Sequence, residues 1–447
     1  MCVYVFSNMC RMSILSRADE HVRKSVFREV LKYTESTKLG LKVFHLQQLS
    51  QTGFRNLDLI NDDPFIRLKK DLFVRESLIR LSPAQMVATC VALGKLGSTN
   101  KKEWTLLGDS LKGLCRNLSP SQIGVCLYAF SRTMYSWTLK HATVDLLCKA
   151  LLRKSVDWTL IDMGWYLYFI RKTLGADETR YLPLIDQIAY RFNERLTKST
   201  PRNIACIMSE FGYLKILPGH AIHRASNILG SKRQKIDPKT MTLLFASLAK
   251  LNVYKISLVN TLADHVIQQN KTYTNRQVVT VFYATAKLAI YHRKLTRLVC
   301  KHFQNLSKLT ETDLAMLAYS FGRFRIRGHI WNHLLNIFNS NFLQYTPQTV
   351  SIFLGALSRV NTASDSRIRR LNLSPDETSY VDQAWLEKID AFVIKNRAGF
   401  TDRQILNSIH SLCKMGYASK SDWRKLKLDP TLELVETQLK LIQEFRP

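Results

Sequence analysis

The sequence predicts an all-α protein, a superhelical solenoid of about nine helical-hairpin repeats of 36 to 41 residues. Three observations carry that reading. The stretch "LSPAQMVATCVALGK" at 81–95 returns at 118–132 as "LSPSQIGVCLYAFSR", and degenerate copies follow along the chain. Apolar residues within each copy recur at three- and four-residue steps, the period of a helix and not of a strand. Each copy opens on a residue that caps helices well, and nearly every one closes on a cation.

Bulk composition narrows what such a chain can do. Of its 447 residues 46% are hydrophobic, enough for a buried core, and 17 Gly and 11 Pro are too few for a collagen-like or low-complexity polymer. Against 35 acidic residues stand 65 Lys and Arg, a net charge of +30. That excess repels itself unless a polyanion neutralises it, which points to nucleic acid before an anionic membrane surface or acidic proteins. A basic surface that is merely solvated is the plain alternative. Nine cysteines, at 2, 10, 90, 115, 126, 148, 206, 300 and 413, are odd in number and widely spaced, with no Cys-x-x-Cys pair. A disulfide framework and a zinc site are therefore not expected, and the compartment should be reducing. No apolar run approaches the roughly 18 residues of a bilayer span; "MGWYLYFI" at 163–170 is among the longest.

Taken in order, residues 1–17 carry two Arg and no acidic residue, as transit peptides do, and form a candidate targeting segment. Residues 18–80 hold two or three helical patterns, including 64–80 after a cap at Asp63, and read as an N-terminal cap or degenerate repeat. The solenoid proper occupies 81–427. Its copies are anchored on Met86, Ile123, Met163, Ile204, Met241, Val278, Leu314, Val350 and Ile405, at spacings of 37, 40, 41, 37, 37, 36, 36 and 55. Four residues before each anchor stands an N-cap: Ser82, Ser119, Thr159, Thr200, Asp237, Thr274, Thr310, Thr346 or Thr401. Pro follows the cap at 83, 120, 201, 238 and 347, where its missing N–H costs nothing. Ser82/Gln85, Ser119/Gln122 and Thr401/Gln404 have capping-box spacing.

An apolar residue precedes the cap in every copy except at Ser199, the position a hydrophobic staple uses. Eight residues after the anchor the chain is small, as at Gly94, Ser131, Gly212 and Gly322, which would let a neighbouring helix come close; Arg171 breaks this column. A second amphipathic stretch follows each first helix, at 104–115, 141–154, 184–196 and 328–342 for example, so each repeat is a hairpin. One hairpin cannot bury its apolar faces alone and must stack on its neighbours. The 55-residue spacing implies an insertion with an exposed loop at about 361–380, and 428–447 reads as a C-terminal capping helix.

Nine residues after the anchors stand Lys95, Arg132, Lys172, Tyr213, Lys250, Lys287, Arg323, Arg359 and Lys414, eight of them basic. At about 100° per residue this column lies opposite the anchor. One turn earlier on that face are Tyr128, Tyr168, Tyr283, Tyr319 and His410. A ring beside a cation offers stacking to an unpaired base and charge to its phosphate. The macrodipole also favours a cation in the last turn of any helix, and the tyrosines could instead pack on the next hairpin. Further basic clusters at Lys232, Arg233 and Lys235, and at Arg367, Arg369 and Arg370, suit either solvated loops or phosphate clamps.

First helices ending "YAFSR", "ASLAKL", "YATAKL", "YSFGRF" and "GALSRV" resemble those of organellar repeat proteins. The likeness is to octotricopeptide and heptatricopeptide repeats and to the helical region before the RAP domain of FAST-kinase-like proteins, and it covers 81–427. It implies a mitochondrial or plastid location, single-stranded RNA as ligand, and a part in RNA maturation, translation or ribosome assembly. The final "LDPTLELVETQLKLIQEFRP" is too short for a RAP domain, so nuclease-like activity is not implied.

No Gly-rich phosphate loop, His-Glu-x-x-His, Gly-x-Ser-x-Gly or kinase signature is present, and carboxylates are dispersed. His220/His223 and His329/His333 could share a helix face, but nothing nearby completes a metal site. No catalytic residue, metal, cofactor or small-molecule substrate is expected. The expected function is RNA binding through Lys95, Tyr128, Arg132, Tyr168, Lys172, Lys250, Tyr283, Lys287, Tyr319, Arg323, Arg359 and Lys414. The chain would be a structural or assembly component of a mitochondrial ribosome that holds rRNA beside other ribonucleoprotein subunits. Two alternatives stand beside it, a trans-acting factor for organellar transcripts and a HEAT-like protein scaffold.

Overall fold

A computed structural model of the chain describes residues 25, 38–51, 63–133, 142–173, 180–231, 236–303, 309–361 and 380–417. Among them are twenty α-helices, five short 3-10 segments and no strand. The protein is all-α and divides into two compact units, Met1–Ile228 and Leu229–Pro447. No described helix is long and apolar enough to cross a membrane.

The first unit begins with α1 (Leu39–Leu49), α2 (Asp63–Leu72) and α3 (Arg75–Ile79). The pattern at 64–80 is thus two helices, not one, interrupted at Phe73 and an extended Val74, and Asp63 is the first residue of α2 and not its cap. There follow α4 (Pro83–Leu96), α5 (Lys101–Leu114), α6 (Pro120–Thr133), α7 (Ala142–Arg153), α8 (Leu160–Thr173), α9 (Leu182–Arg195), α10 (Pro201–Leu214) and α11 (Gly219–Ser231), which straddles the unit boundary. The second unit continues with α12 (Pro238–Lys250), α13 (Ile256–Gln268), α14 (Asn275–Lys287), α15 (Arg293–Phe303), α16 (Glu311–Arg323), α17 (Ile330–Asn341), α18 (Pro347–Val360), α19 (Gln383–Lys395) and α20 (Asp402–Lys414). From α4 onward the even-numbered helices are the first helices of the repeats. The nine anchors therefore fall on nine first helices, and none is more than 3% exposed.

Local chemistry starts these helices where the sequence expects. Eight of the nine N-cap side chains accept a hydrogen bond from the third helical N–H, at 3.3 Å for Ser82 and 3.0 Å for Asp237. All three expected capping boxes close, and Thr274/Gln277 makes a fourth. Thr346 is the exception. Its N–H and hydroxyl both donate to Glu311 Oε1 of the preceding repeat, at 2.7 and 2.5 Å, so the side chain no longer caps α18.

The ends of the first helices follow a rule the sequence did not reveal. Eleven residues after the anchor the backbone turns left-handed at Gly97, Lys215, Asn252, Ala289, Arg325 and Gly416. At each the next N–H reaches back to a carbonyl of the last turn, as Ser98 to Leu93 and Ile326 to Phe321, both within 3.1 Å. This is the Schellman stop, and four of the six sites use a residue other than Gly.

Within each unit the first helices form the tight layer. α1, α4, α6, α8 and α10 stack in sequence in one unit, and α12, α14, α16, α18 and α20 in the other, packing far more extensively than the second helices do. This is the neighbour-to-neighbour arrangement of a solenoid. The small column makes it possible: a Cβ on Gly94 would lie 2.9 Å from Cβ of Ala129, and one on Gly322 only 2.7 Å from Cα of Ala356. Arg171, the exception in that column, points outward half-buried and finds a partner described below.

The expected loop at about 361–380 lies, except for its two end residues, outside the described residues. Asn361 is buried and its Oδ1 accepts the N–H of Tyr380 at 2.8 Å, pinning the two ends together before α19 resumes the hairpin pattern. The candidate targeting segment 1–17, the basic clusters at Lys232, Arg233 and Lys235 and at Arg367, Arg369 and Arg370, and the closing helix at 428–447 also fall outside the described residues.

Candidate nucleic-acid interface

The buried anchor fixes what the opposite side of each first helix must do. Lys95, Arg132, Lys172, Lys287, Arg323, Arg359 and Lys414 are all exposed, Lys250 is half-buried, and Tyr213 takes the same place at the end of α10. Among the described residues none of those seven exposed cations has a carboxylate within ion-pair distance. The helix C-terminus contributes to holding one cation per helix. It does not neutralise a net charge.

The tyrosines stand beside these cations, though not as bare platforms. In the first unit the Arg132 guanidinium lies 5.8 Å from the Tyr128 ring centre and Lys172 Nζ 6.0 Å from that of Tyr168. In the second, Lys287 Nζ is 5.7 Å from Tyr283 and 5.2 Å from Tyr319, which also carries Arg359 at 5.8 Å. The rings themselves are half-buried and meet edge-on or tilted across repeats: Tyr128 on Trp165 at 4.6 Å and on Tyr168 at 4.9 Å, Tyr283 on Tyr319 at 5.2 Å. They pack on the next hairpin and still present an edge and a cation to solvent.

Three features of this face escaped the sequence pattern. Two residues after the anchors, Val125, Trp165, Leu243, Thr280, Met316 and Ile352 are half-buried, and Trp165 packs on Tyr128. Arg171 is sandwiched between Tyr168 at 4.8 Å and Tyr213 at 4.4 Å, with its Nε 2.8 Å from Glu210 Oε2. Tyr254 and Tyr291, in the loops that follow α12 and α14, are open to solvent at 61% and 54% exposure. The regularity of the loops, each two residues past a left-handed stop, was the signal that could have located them.

Electrostatics sharpen toward the end of the second unit. Burial, then Arg323 and Arg325, holds the Arg359 guanidinium below its usual value. Burial, then Arg359 and Arg325, does the same to Lys414, and burial with Lys414 lowers His410. Like charges are crowded here, and among the described residues no carboxylate pairs with Arg323, Arg359 or Lys414. Lys414 thus disfavours the protonated form of His410, one turn before it on the same helix.

His220 and His223 are exposed, and His329 is the N-cap residue of α17 one turn from His333. Among the described residues no group of three or more His, Cys, Asp or Glu could hold a metal ion. The seven described cysteines are free thiols, four of them buried. No protein-family model matches this chain, and no curated protein matches it.

Proposed function

We propose that this protein binds single-stranded RNA along the first helices of its repeats. The observation that carries the proposal is the column of exposed cations, recurring from repeat to repeat within each unit, for which the described residues supply no carboxylate. A polyanion with regularly spaced phosphates relieves that repulsion, and partly exposed rings beside the cations suit unpaired bases better than a closed duplex. The net charge of +30 agrees with such a partner.

The cellular setting rests on the resemblance of the first helices to organellar repeat proteins. In that setting the chain is a structural or assembly component of a mitochondrial ribosome, holding an irregular rRNA segment on its basic face. Sedimentation of the native protein with and without ribonuclease tests this directly. Comigration with a ribosomal subunit that ribonuclease abolishes is expected. Crosslinking to one dominant messenger would favour a transcript-specific factor instead, and a complex indifferent to ribonuclease would favour a protein scaffold.

A further inference from the structure

We infer that the last three repeats form a seat for a terminal phosphomonoester, built from Arg323, Arg325, Arg359, Lys414 and His410 around the Tyr319 ring. This rests on the RNA-binding reading and specifies where one end of the strand is held.

Stacked helices lie about 8–10 Å apart, so the ninth-position residues of α16, α18 and α20 bring three long cationic side chains within reach of one small anion. Arg359 is held over Tyr319 at 5.8 Å, on the neighbouring repeat. Arg325 adds a fourth cation from a left-handed backbone, φ 52°, at a position that Gly holds in two of the six left-handed stops. Carrying an arginine there costs conformational energy that Gly would avoid, and the same turn in α20 is made by Gly416. Beside Lys414 the Nδ1 of His410 is buried with no hydrogen-bond partner.

Two other first helices carry an arginine that a carboxylate one repeat on neutralises, Glu210 for half-buried Arg171 and Asp313 for exposed Arg276. Around Arg323, Arg359 and Lys414 the described residues place no carboxylate within ion-pair distance. Burial first, and then neighbouring cations, lowers both groups: Arg323 and Arg325 act on Arg359, and Arg359 and Arg325 on Lys414. A phosphodiester brings one negative charge to such a group; a terminal phosphomonoester brings nearly two at neutral pH, and three acceptor oxygens. The dianion relieves more of the repulsion.

The test uses the full-length protein and one ten-nucleotide single-stranded RNA made with a 5′-hydroxyl, a 5′-phosphate or a 3′-phosphate, with affinities read by fluorescence anisotropy. At least one phosphorylated end should bind about tenfold more tightly than the hydroxyl form, and which one names the end that is held. In R359Q and in K414Q the ratio should fall toward one, whereas R132Q should weaken all three oligonucleotides and keep the ratio. Ratios of one for both ends in the wild type overturn the inference and leave the RNA-binding reading intact. If no oligonucleotide binds, that reading fails, and inorganic pyrophosphate at matched ionic strength decides the seat. A rise in melting temperature that R359Q and K414Q lose supports it, and no rise overturns it.

Discussion

Removing four cations of the ladder should convert a steeply salt-dependent RNA binder into a shallow one. The perturbation is Arg132, Lys172, Lys287 and Arg323 to Gln together, all exposed and all near helix C-termini where Gln keeps the helix. Each phosphate neutralised on a single strand contributes a slope of about −0.7 in log K against log salt. The seven exposed, carboxylate-free cations therefore set an upper slope of about −5, so doubling the salt should cost about thirtyfold in affinity. With three left, the slope should be about −2, and affinity near 0.1 M salt should fall by more than two decades. Fluorescence anisotropy over a salt series measures both. Each cation–ring pair that the variant gives up stabilises such an exposed position by only about 0.5–1 kcal/mol, so the protein should still melt cooperatively. A folded variant with an unchanged slope, or a wild type whose affinity ignores salt, would refute the role of the column.

Three other outcomes follow from packing and titration. Gly322→Ala should destabilise by about 1–3 kcal/mol, because its Cβ would meet the Ala356 backbone at 2.7 Å, whereas Gly355→Ala, whose nearest neighbour lies 3.8 Å away, should stabilise α18 by about 0.5–1 kcal/mol. Urea midpoints of the two variants check the sign of each. Ala289→Gly should raise stability by about 1 kcal/mol, since φ is 53° there and only Gly takes it without penalty; a lower midpoint would count against the Schellman reading. Burial and Lys414 depress His410 below 6.5, so charging it opposes folding. Its contribution is therefore intact above pH 6.5 and lost as pH falls through that value. Melts at pH 8 and 5.5 should show a smaller acid-induced drop in H410Q than in wild type, and equal drops would remove His410 from the account.

Much of this molecule was legible one repeat at a time. Caps such as Ser82 and Thr401 and anchors such as Ile123 stand three to eight residues apart on one helix, which is the distance over which a sequence pattern speaks, and the small residues Gly94 and Gly322 keep a fixed offset from the anchors although the contact that requires them lies on the next repeat. The ninth-position cations follow from the same arithmetic, because a buried anchor fixes the opposite side. Contacts across the stack obey no such rule. Glu210 reaching Arg171, Trp165 covering Tyr128, and Glu311 taking Thr346 away from its cap each join residues 35 to 39 apart, and depend on how far one hairpin slides against the next. The left-handed stops at Lys215, Asn252, Ala289 and Arg325 carry no glycine to announce them, since tertiary packing outweighs the local preference there. The sequence by itself thus determined the repeat, its helices and the side on which charge collects. Only the tertiary structure decided which of those charges are neutralised and which are crowded together, because that balance is struck between neighbouring repeats and not within one.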